Sequence, residues 1–379
     1  MEYGPIDGVR SWRTLDVKGR RVLVRSDLNP PYEDRLASEL PLYRHVLENG
    51  GNLFIMTHGP DKKSVCSLVE PLERATGHDV VFFATPEGAA STKLLGGEIG
   101  LLENTRMTDA DKSNDPAYAA RLASVGDVIV VNGASACHRP HASVVGMLEY
   151  QHGFSGPLLE EEWHKLKAFS GNGSSGDVAA VGGSKLEEKM AAIEHFAANY
   201  KAVLLGGRPL NNYLKAMGMR VGLSSVDDGS GKEYVDAAKR VLVDSVLSKQ
   251  LRIPTTVVCV REDFSDPDIF DVSAIPDDRR IVDVHADFVD GLADEICAAT
   301  KALLVGPLGH YEKGFTSGTE WFVNRMPADS LVMGGYTVKA SGYRGRRSLG
   351  GGAAIELLLG KEWAAVEALR RNAERFDDI

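Results

Sequence analysis

Cysteine is scarce, and its spacing suits neither a metal site nor a disulfide scaffold: Cys66, Cys137, Cys259 and Cys297 are far apart, with no CxxC pair. Each sits in or beside an apolar run, which predicts buried free thiols in a reducing compartment. No apolar run approaches the roughly 18 residues of a membrane span, and Met1-Glu2-Tyr3-Gly4-Pro5 has no basic segment leading into an apolar one. A cytoplasmic location is the expectation. Positive charge is short as well, 43 Lys+Arg against 53 Asp+Glu for a net charge of −10. Such a surface repels nucleic acid and anionic membranes, so an anionic ligand must be held by local cation clusters. What remains is a 379-residue chain, 43% hydrophobic and 25% charged, ordinary for a soluble globular protein and long enough for two domains.

The most informative stretch is Val181-Gly182-Gly183-Ser184-Lys185-Leu186-Glu187-Glu188-Lys189, between the apolar run from Val178 and Met190-Ala191-Ala192-Ile193. It predicts strand, tight turn and helix, with Lys185 and Lys189 four apart on one face of the first turns. Glycines admit a close ligand and a helix N-terminus favours an anion, so a nucleotide phosphate is the natural guest. The P-loop spacing is absent, and the same residues also suit a structural turn with a solvated lysine face.

Alternation of strands and helices runs through the chain. In the first half, strands are expected at 21–25, 53–57, 80–83, 99–103 and 128–131, with helices from Arg35 to Leu47 and at 68–76 and 116–124. Polar and cationic residues stand at the strand ends: Asp27 and Asn29, His58, Asn104 and Arg106, then His138-Arg139-Pro140-His141. Gathered at one sheet edge they would make a basic cleft for a small anion, although each alone could be a solvated loop residue. His138 and His141 lack further ligands nearby for a metal.

A helix at 158–169 and the low-complexity stretch 170–176 follow, marking a domain boundary. The second half is expected to hold strands at 178–181, 202–205, 256–260, 302–305 and 330–333, and helices at 187–198, 210–217, 232–248 and 288–301. Its strand ends carry glycine turns, Gly182-Gly183, Gly206-Gly207, Gly306-Pro307-Leu308-Gly309 and Gly334-Gly335, and bare backbone suits a flat nucleotide. Ser348 to Ala354 starts a further helix, and 363–376 reads as an amphipathic one. The expected fold is two doubly wound parallel-sheet α/β domains joined by a hinge helix: 1–155 with the tail 361–379 packing back on it, the connector 156–176, and 177–360.

These residues, in order from Arg21 to Leu369, resemble the phosphoglycerate kinase family, with spacings more like its archaeal branch. Val24-Arg25-Ser26-Asp27-Leu28-Asn29 is similar to the first-strand signature whose Asp and Asn hold the glycerate. Arg35, just before the first helix, stands where the family has its catalytic arginine. Met56-Thr57-His58 resembles the strand end supplying a substrate histidine. Leu101-Leu102-Glu103-Asn104-Thr105-Arg106 and His138-Arg139-Pro140-His141-Ala142-Ser143 look like the segments whose arginines bind the substrate phosphate. Gly182-Gly183-Ser184-Lys185 through Lys189 resembles Gly-Gly-Ala-Lys-x-x-Asp-Lys, placing the nucleotide-phosphate lysines on Lys185 and Lys189. Gly306-Pro307-Leu308-Gly309 and Glu312 are similar to the adenosine loop with its ribose glutamate, and Gly350-Gly351-Gly352-Ala353 to the turn facing the transferred phosphoryl.

The chain departs from the pattern at three places. His-Leu-Gly-Arg becomes His58-Gly59-Pro60-Asp61, with Lys62 or Lys63 left to replace the arginine. Asn-Asp-Ala-Phe becomes Asn132-Gly133-Ala134-Ser135, and the metal-binding Gly-Gly-Gly-Asp becomes Met333-Gly334-Gly335-Tyr336. The resemblance implies reversible phosphoryl transfer between 1,3-bisphosphoglycerate and ADP, giving 3-phosphoglycerate and ATP, with closure of two domains. Arg35, Lys185 and the turn Gly350–Gly352 would stabilise the phosphoryl in flight. Magnesium would arrive on the nucleotide, with Glu187 or Glu188 as other carboxylates in reach, and the particular metal ligands stay unassigned. The expected partners are these small molecules alone, on a monomer or homodimer. The alternative is a relative that keeps the fold and binds a nucleotide or a protein without turnover.

Overall fold

The computed structural model describes residues 3–28, 32–59, 61–170, 176–226, 233–334, 337 and 342–376; Asn29, Pro60, Gly335 and Tyr336 lie outside them. The chain divides into two compact units, Met1–Lys165 with Lys361–Ile379, and Leu166–Gly360, the division falling within the helix Pro157–Lys167.

The first unit is built on six strands, β1 (Arg21–Arg25), β2 (Asn52–Met56), β3 (Val80–Phe83), β4 (Ile99–Leu102), β5 (Val128–Val131) and β6 (His152–Ser155). They form one parallel sheet in the order β3-β4-β2-β1-β5-β6. The apolar runs of β1, β2, β4 and β5 are buried on both faces, as a sheet covered by crossover helices requires. Val22, Val24, Ile55, Leu101 and Val130 share one core with Tyr43 and Leu72 from the helices Tyr32–Glu48 and Val69–Thr76. Arg35 falls inside the first of these helices rather than ahead of it. The tail helix Ala364–Arg375 belongs to this unit: the Asn372 side chain accepts from Gly153 N–H (2.7 Å) and donates to the Gln151 carbonyl (2.8 Å).

The second unit holds β7 (Val178–Val181), β8 (Ala202–Leu205), β9 (Leu251–Arg252), β10 (Thr256–Val260), β11 (Asp268–Asp271), β12 (Arg280–Val284), β13 (Ala302–Val305), β14 (Leu331–Met333) and β15 (Arg346–Ser348). Six of them form a parallel sheet in the order β15-β14-β13-β7-β8-β9. The strand expected at 256–260 is present but lies outside it, in an antiparallel sheet β11-β10-β12. Its apolar run resembles a central parallel strand; it pairs with Asp268–Asp271 instead, whose mostly exposed, acid-flanked sequence suits an edge.

Two expected helices are interrupted. The one at 232–248 is Glu233–Val243 followed by Leu247–Gln250, because the Asp244 carboxylate accepts from Val246 N–H (2.8 Å) and Leu247 N–H (3.0 Å) and starts a new turn. That at 288–301 is two short helices, Ala286–Asp290 and Ala293–Cys297, separated at Gly291. The cysteines are all free, but only Cys137 and Cys259 are buried; Cys66 and Cys297 are exposed.

Candidate active site

Parallel pairing brings the strand ends of the first unit together. Ser26 and Asp27 follow β1, His58 follows its neighbour β2, Asn104 and Arg106 follow β4, and Asn132 opens the loop after β5 that leads to Arg139. The order reverses between β1 and β5, the position where open α/β sheets present a crevice at their C-terminal edge.

Four arginines gather here. Arg25 is fully buried and donates to Ser26 carbonyl (2.5 Å), Ser143 Oγ (3.3 Å) and His58 Nδ1 (3.1 Å). Arg35 pairs with the Asp27 carboxylate. Arg139 is exposed and donates from Nε to His138 Nε2 (3.0 Å), while the Nε of half-buried Arg106 has no hydrogen-bond partner among the described residues. Burial, then Arg25, Arg106, Arg139 and Arg35, hold the His58 imidazole far below its ordinary pKa. Burial and Arg139 press His138 down to about 4, and burial followed by Arg139 and Arg25 lowers Arg106 itself. Cations this close raise one another's energy, and an anion relieves that.

Backbone bonds fix the loops. Asn104 Oδ1 accepts from Gly59 N–H and Arg106 N–H, both at 3.0 Å, and its amide donates to the Lys63 carbonyl (2.7 Å). Lys62, open as a substitute for the missing arginine, is instead exposed and paired with Asp109 (3.0 Å). His138 and His141 belong to no metal cluster: among the described residues no three His, Cys, Asp or Glu side chains gather around a common point. Asp111, which the sequence reading missed, is buried, accepts from Ser143 N–H (2.9 Å) and lies 3.8 Å from His141 Nδ1.

In the second unit the glycine turns interlock at the reversal between β13 and β7. Gly182 leaves no room for a Cβ against the Pro307 carbonyl, and Gly207, at φ 53°, packs directly on the Gly183 backbone. Gly206 abuts Leu308 in the same cluster, and Gly306 faces the Gly182 carbonyl and the Lys189 ammonium.

The lysine pair differs from expectation. The helix starts at Glu187, with Leu186 at its N-cap and no side-chain cap, so Lys185 lies ahead of it and is exposed. Lys189 is buried and donates to its own turn's Gly182 carbonyl. Burial, with Lys185 as a further cation, lowers its pKa to about 8 against the opposing pull of Glu188. The helix Gly351–Leu358 begins at the second glycine cluster, with Gly350 as N-cap; there the Glu188 carboxylate packs against Gly352. Glu312 sits in an exposed turn, 3.5 Å from His310 Nε2.

Behind that turn, buried Asp283 of β12 accepts from Val284 N–H (2.9 Å) and from Gly318 N–H (3.2 Å) at the start of the helix Ser317–Arg325. Gly309 packs against the same carboxylate, whose pKa burial raises to about 6. No sequence motif marked this residue, because its role depends on a sheet the alternation did not predict.

A family model described as phosphoglycerate kinase matches residues 12–361. The chain is 31% identical to the phosphoglycerate kinase of Deinococcus radiodurans over 94% of its own length and 93% of that protein. A relative of the same name from Chloroflexus aurantiacus is also 31% identical, over 94% of this chain and 98% of its own. The solved phosphoglycerate kinase of Coxiella burnetii superposes with a TM-score of 0.79 at 25% identity, covering 96% of this chain and all (100%) of that one. That of Pyrococcus horikoshii gives 0.85 at 22% identity over 97% and 100%, a likeness of fold.

Proposed function

The chain belongs to the phosphoglycerate kinase family, whose members transfer a phosphoryl group between 1,3-bisphosphoglycerate and ADP, and we propose how its residues divide that task. The first unit holds 3-phosphoglycerate through Asp27, Asn29, Arg35, His58, Arg106 and Arg139. The second holds ADP or ATP through Gly182, Gly183, Lys185, Lys189, Gly206, Gly207, Gly306, Pro307 and Glu312. The observation that carries this reading is the convergence of four arginines on a neutral histidine at one sheet edge, a constellation with more cation than its own carboxylates balance.

The chemistry asks for little more. The accepting carboxylate is ionised at neutral pH, its pKa being roughly 3.5, so no general base is required. Catalysis reduces to positioning and charge stabilisation. Arg35 and Lys185, with backbone N–H groups of the turn at Gly350, Gly351 and Gly352, stabilise the phosphoryl in transit. Magnesium borne by the nucleotide would supply further neutralisation of phosphate charge, held mainly by phosphate oxygens and water. A cytoplasmic place in glycolysis accords with this reading; no helix among the described residues is long and apolar enough to cross a membrane. The test is a coupled assay for ATP formed from ADP and 1,3-bisphosphoglycerate, run beside the Arg106→Ala variant. Turnover that survives that change intact would overturn the assignment of the first unit.

A further inference from the structure

We propose that Glu39 is the positioning residue of the acid-substrate site: its buried carboxylate holds the end of β1 so that Asp27, and the Arg35 paired with it, face the substrate. The inference rests on the assignment of Asp27 and Arg35 made above and goes one layer below it.

Glu39 is completely buried and makes no ion pair among the described residues, an expensive placement for a carboxylate unless fixed donors surround it. They do. Oε1 accepts from the Asp27 backbone N–H (2.7 Å) and Oε2 from the Asn132 side-chain amide (2.6 Å). Asn132 passes the constraint on, its Oδ1 accepting from Leu158 N–H (2.8 Å) at the start of the helix Pro157–Lys167. Gly133 packs closely on the same peptide, since a Cβ there would lie 3.0 Å from the Asp27 nitrogen. Glu39 also follows Arg35 by four residues on one helix, so both project from the same helix face toward the end of β1. One carboxylate thus joins the end of β1, the end of β5 and the arginine-bearing helix.

The groups facing it are Arg25 on β1, Ser26 and Asp27 just beyond, Asn132 after β5, and Tyr43 on its own helix, whose hydroxyl donates to Ser26 Oγ (2.6 Å). Burial, helped by the Asp27 charge, raises the Glu39 pKa to about 7 against the hydrogen bonds from Asp27, Asn132 and Ser26. A protonated Glu39 turns one acceptor into a donor among donors, and the grip on Asp27 slackens.

The experiment is calorimetric titration of the full chain with 3-phosphoglycerate and with ADP between about pH 6 and 8.5, bracketing the shifted carboxyl. At pH 8, Glu39→Gln is expected to weaken 3-phosphoglycerate about tenfold and leave ADP unchanged, because a glutamine cannot accept at both ends. That ratio should shrink toward one as the pH falls to about 6, where the wild-type group is itself protonated. The ligand phosphate also titrates near 6, equally for both proteins, and cancels in the ratio. Asn132→Ala removes one donor and should move the wild-type midpoint upward. A ratio that stays constant with pH overturns the inference, as does an unmoved midpoint in Asn132→Ala, which decides alone if Glu39→Gln does not fold. Arg106→Ala is the control: if it binds 3-phosphoglycerate like wild type, the site assignment has failed rather than the role of Glu39.

Discussion

Arg25 Nη2 lies 3.1 Å from His58 Nδ1, inside the buried end of β1. An arginine only donates, so Nδ1 is the bare nitrogen and the ring proton of His58 sits on Nε2. His58 is therefore a neutral donor, suited to an anionic oxygen and unsuited to acid catalysis.

His58 is expected to stay neutral down to pH 5, with Nδ1 in the unprotonated range of nitrogen shifts; an NMR titration with a midpoint near its ordinary 6.5 would refute the tautomer assignment. The stability consequence has a definite sign. The folded pKa lies below the unfolded one, so the unfolded chain binds the extra proton and stability is lost as pH drops below about 6.5. Glu39 acts oppositely: its folded pKa of about 7 exceeds the ordinary 4.5, the native state keeps the proton between them, and stability falls as pH rises through that window.

Arg35→Ala should lower turnover by two orders of magnitude or more, roughly 2.7 kcal/mol of barrier, because a cation aimed at developing charge acts mainly in the transition state. Its ion pair with Asp27 is largely buried, so the variant should also melt at lower temperature, and turnover is to be compared where both proteins are folded. Turnover within about threefold of wild type would end the assigned role.

Ligand binding should separate by unit. Arg139→Ala is expected to weaken 3-phosphoglycerate and spare ADP, and Lys189→Ala the reverse; equal losses for both ligands in calorimetry would contradict the partition. Lys189 adds a sharper signature. With a pKa of about 8 it is mostly neutral at pH 8.5, and a bound phosphate favours its charged form. ADP binding should then take up a proton at pH 8.5, where the ligand phosphate is already ionised, and that uptake should vanish in Lys189→Ala, read from binding heats in buffers of different ionisation enthalpy.

Asp283→Asn should cost about 1–3 kcal/mol, since the amide cannot accept from both Val284 and Gly318. It should also weaken ADP without touching 3-phosphoglycerate. The folded pKa of about 6 exceeds the ordinary 3.8, so in wild type this group's contribution falls as pH rises between those values, and the variant should lose that slope. An unchanged affinity for ADP would show that the loop after β13 does not depend on this carboxylate.

Tyr336 lies outside the described residues, and its prediction comes from the sequence: Tyr336→Asp should tighten magnesium–ADP relative to metal-free ADP, whereas Tyr336→Phe should change little. Loss of metal-dependent activity in Tyr336→Phe, with the fold intact, would reveal a role for the hydroxyl.

The parts whose signal is local are legible in the chain of residues alone. Runs such as Val128–Val131 and Val178–Val181 are too apolar for any place but a two-sided sheet, and the residues that end them, Asp27, His58, Arg106 and the glycines after β7 and β13, are then placed at a sheet edge by topology. Contact between segments far apart in the chain is set by packing and carries no local signal. Whether Lys189 is solvated or buried depends on Gly306 and Pro307 packing over Gly182, more than a hundred residues away; at four-residue spacing alone it read as a partner of Lys185. The run at 256–260 is legible as a strand but not as a member of a separate antiparallel sheet, because apolar content does not specify which neighbour supplies its hydrogen bonds. Glu39 and Asp283 carry no pattern around them: a carboxylate in a helix and one in a strand are ordinary until distant N–H groups from Asp27, Asn132 and Gly318 close on them. A buried charge takes its meaning from those partners, and three-dimensional packing alone assembles them.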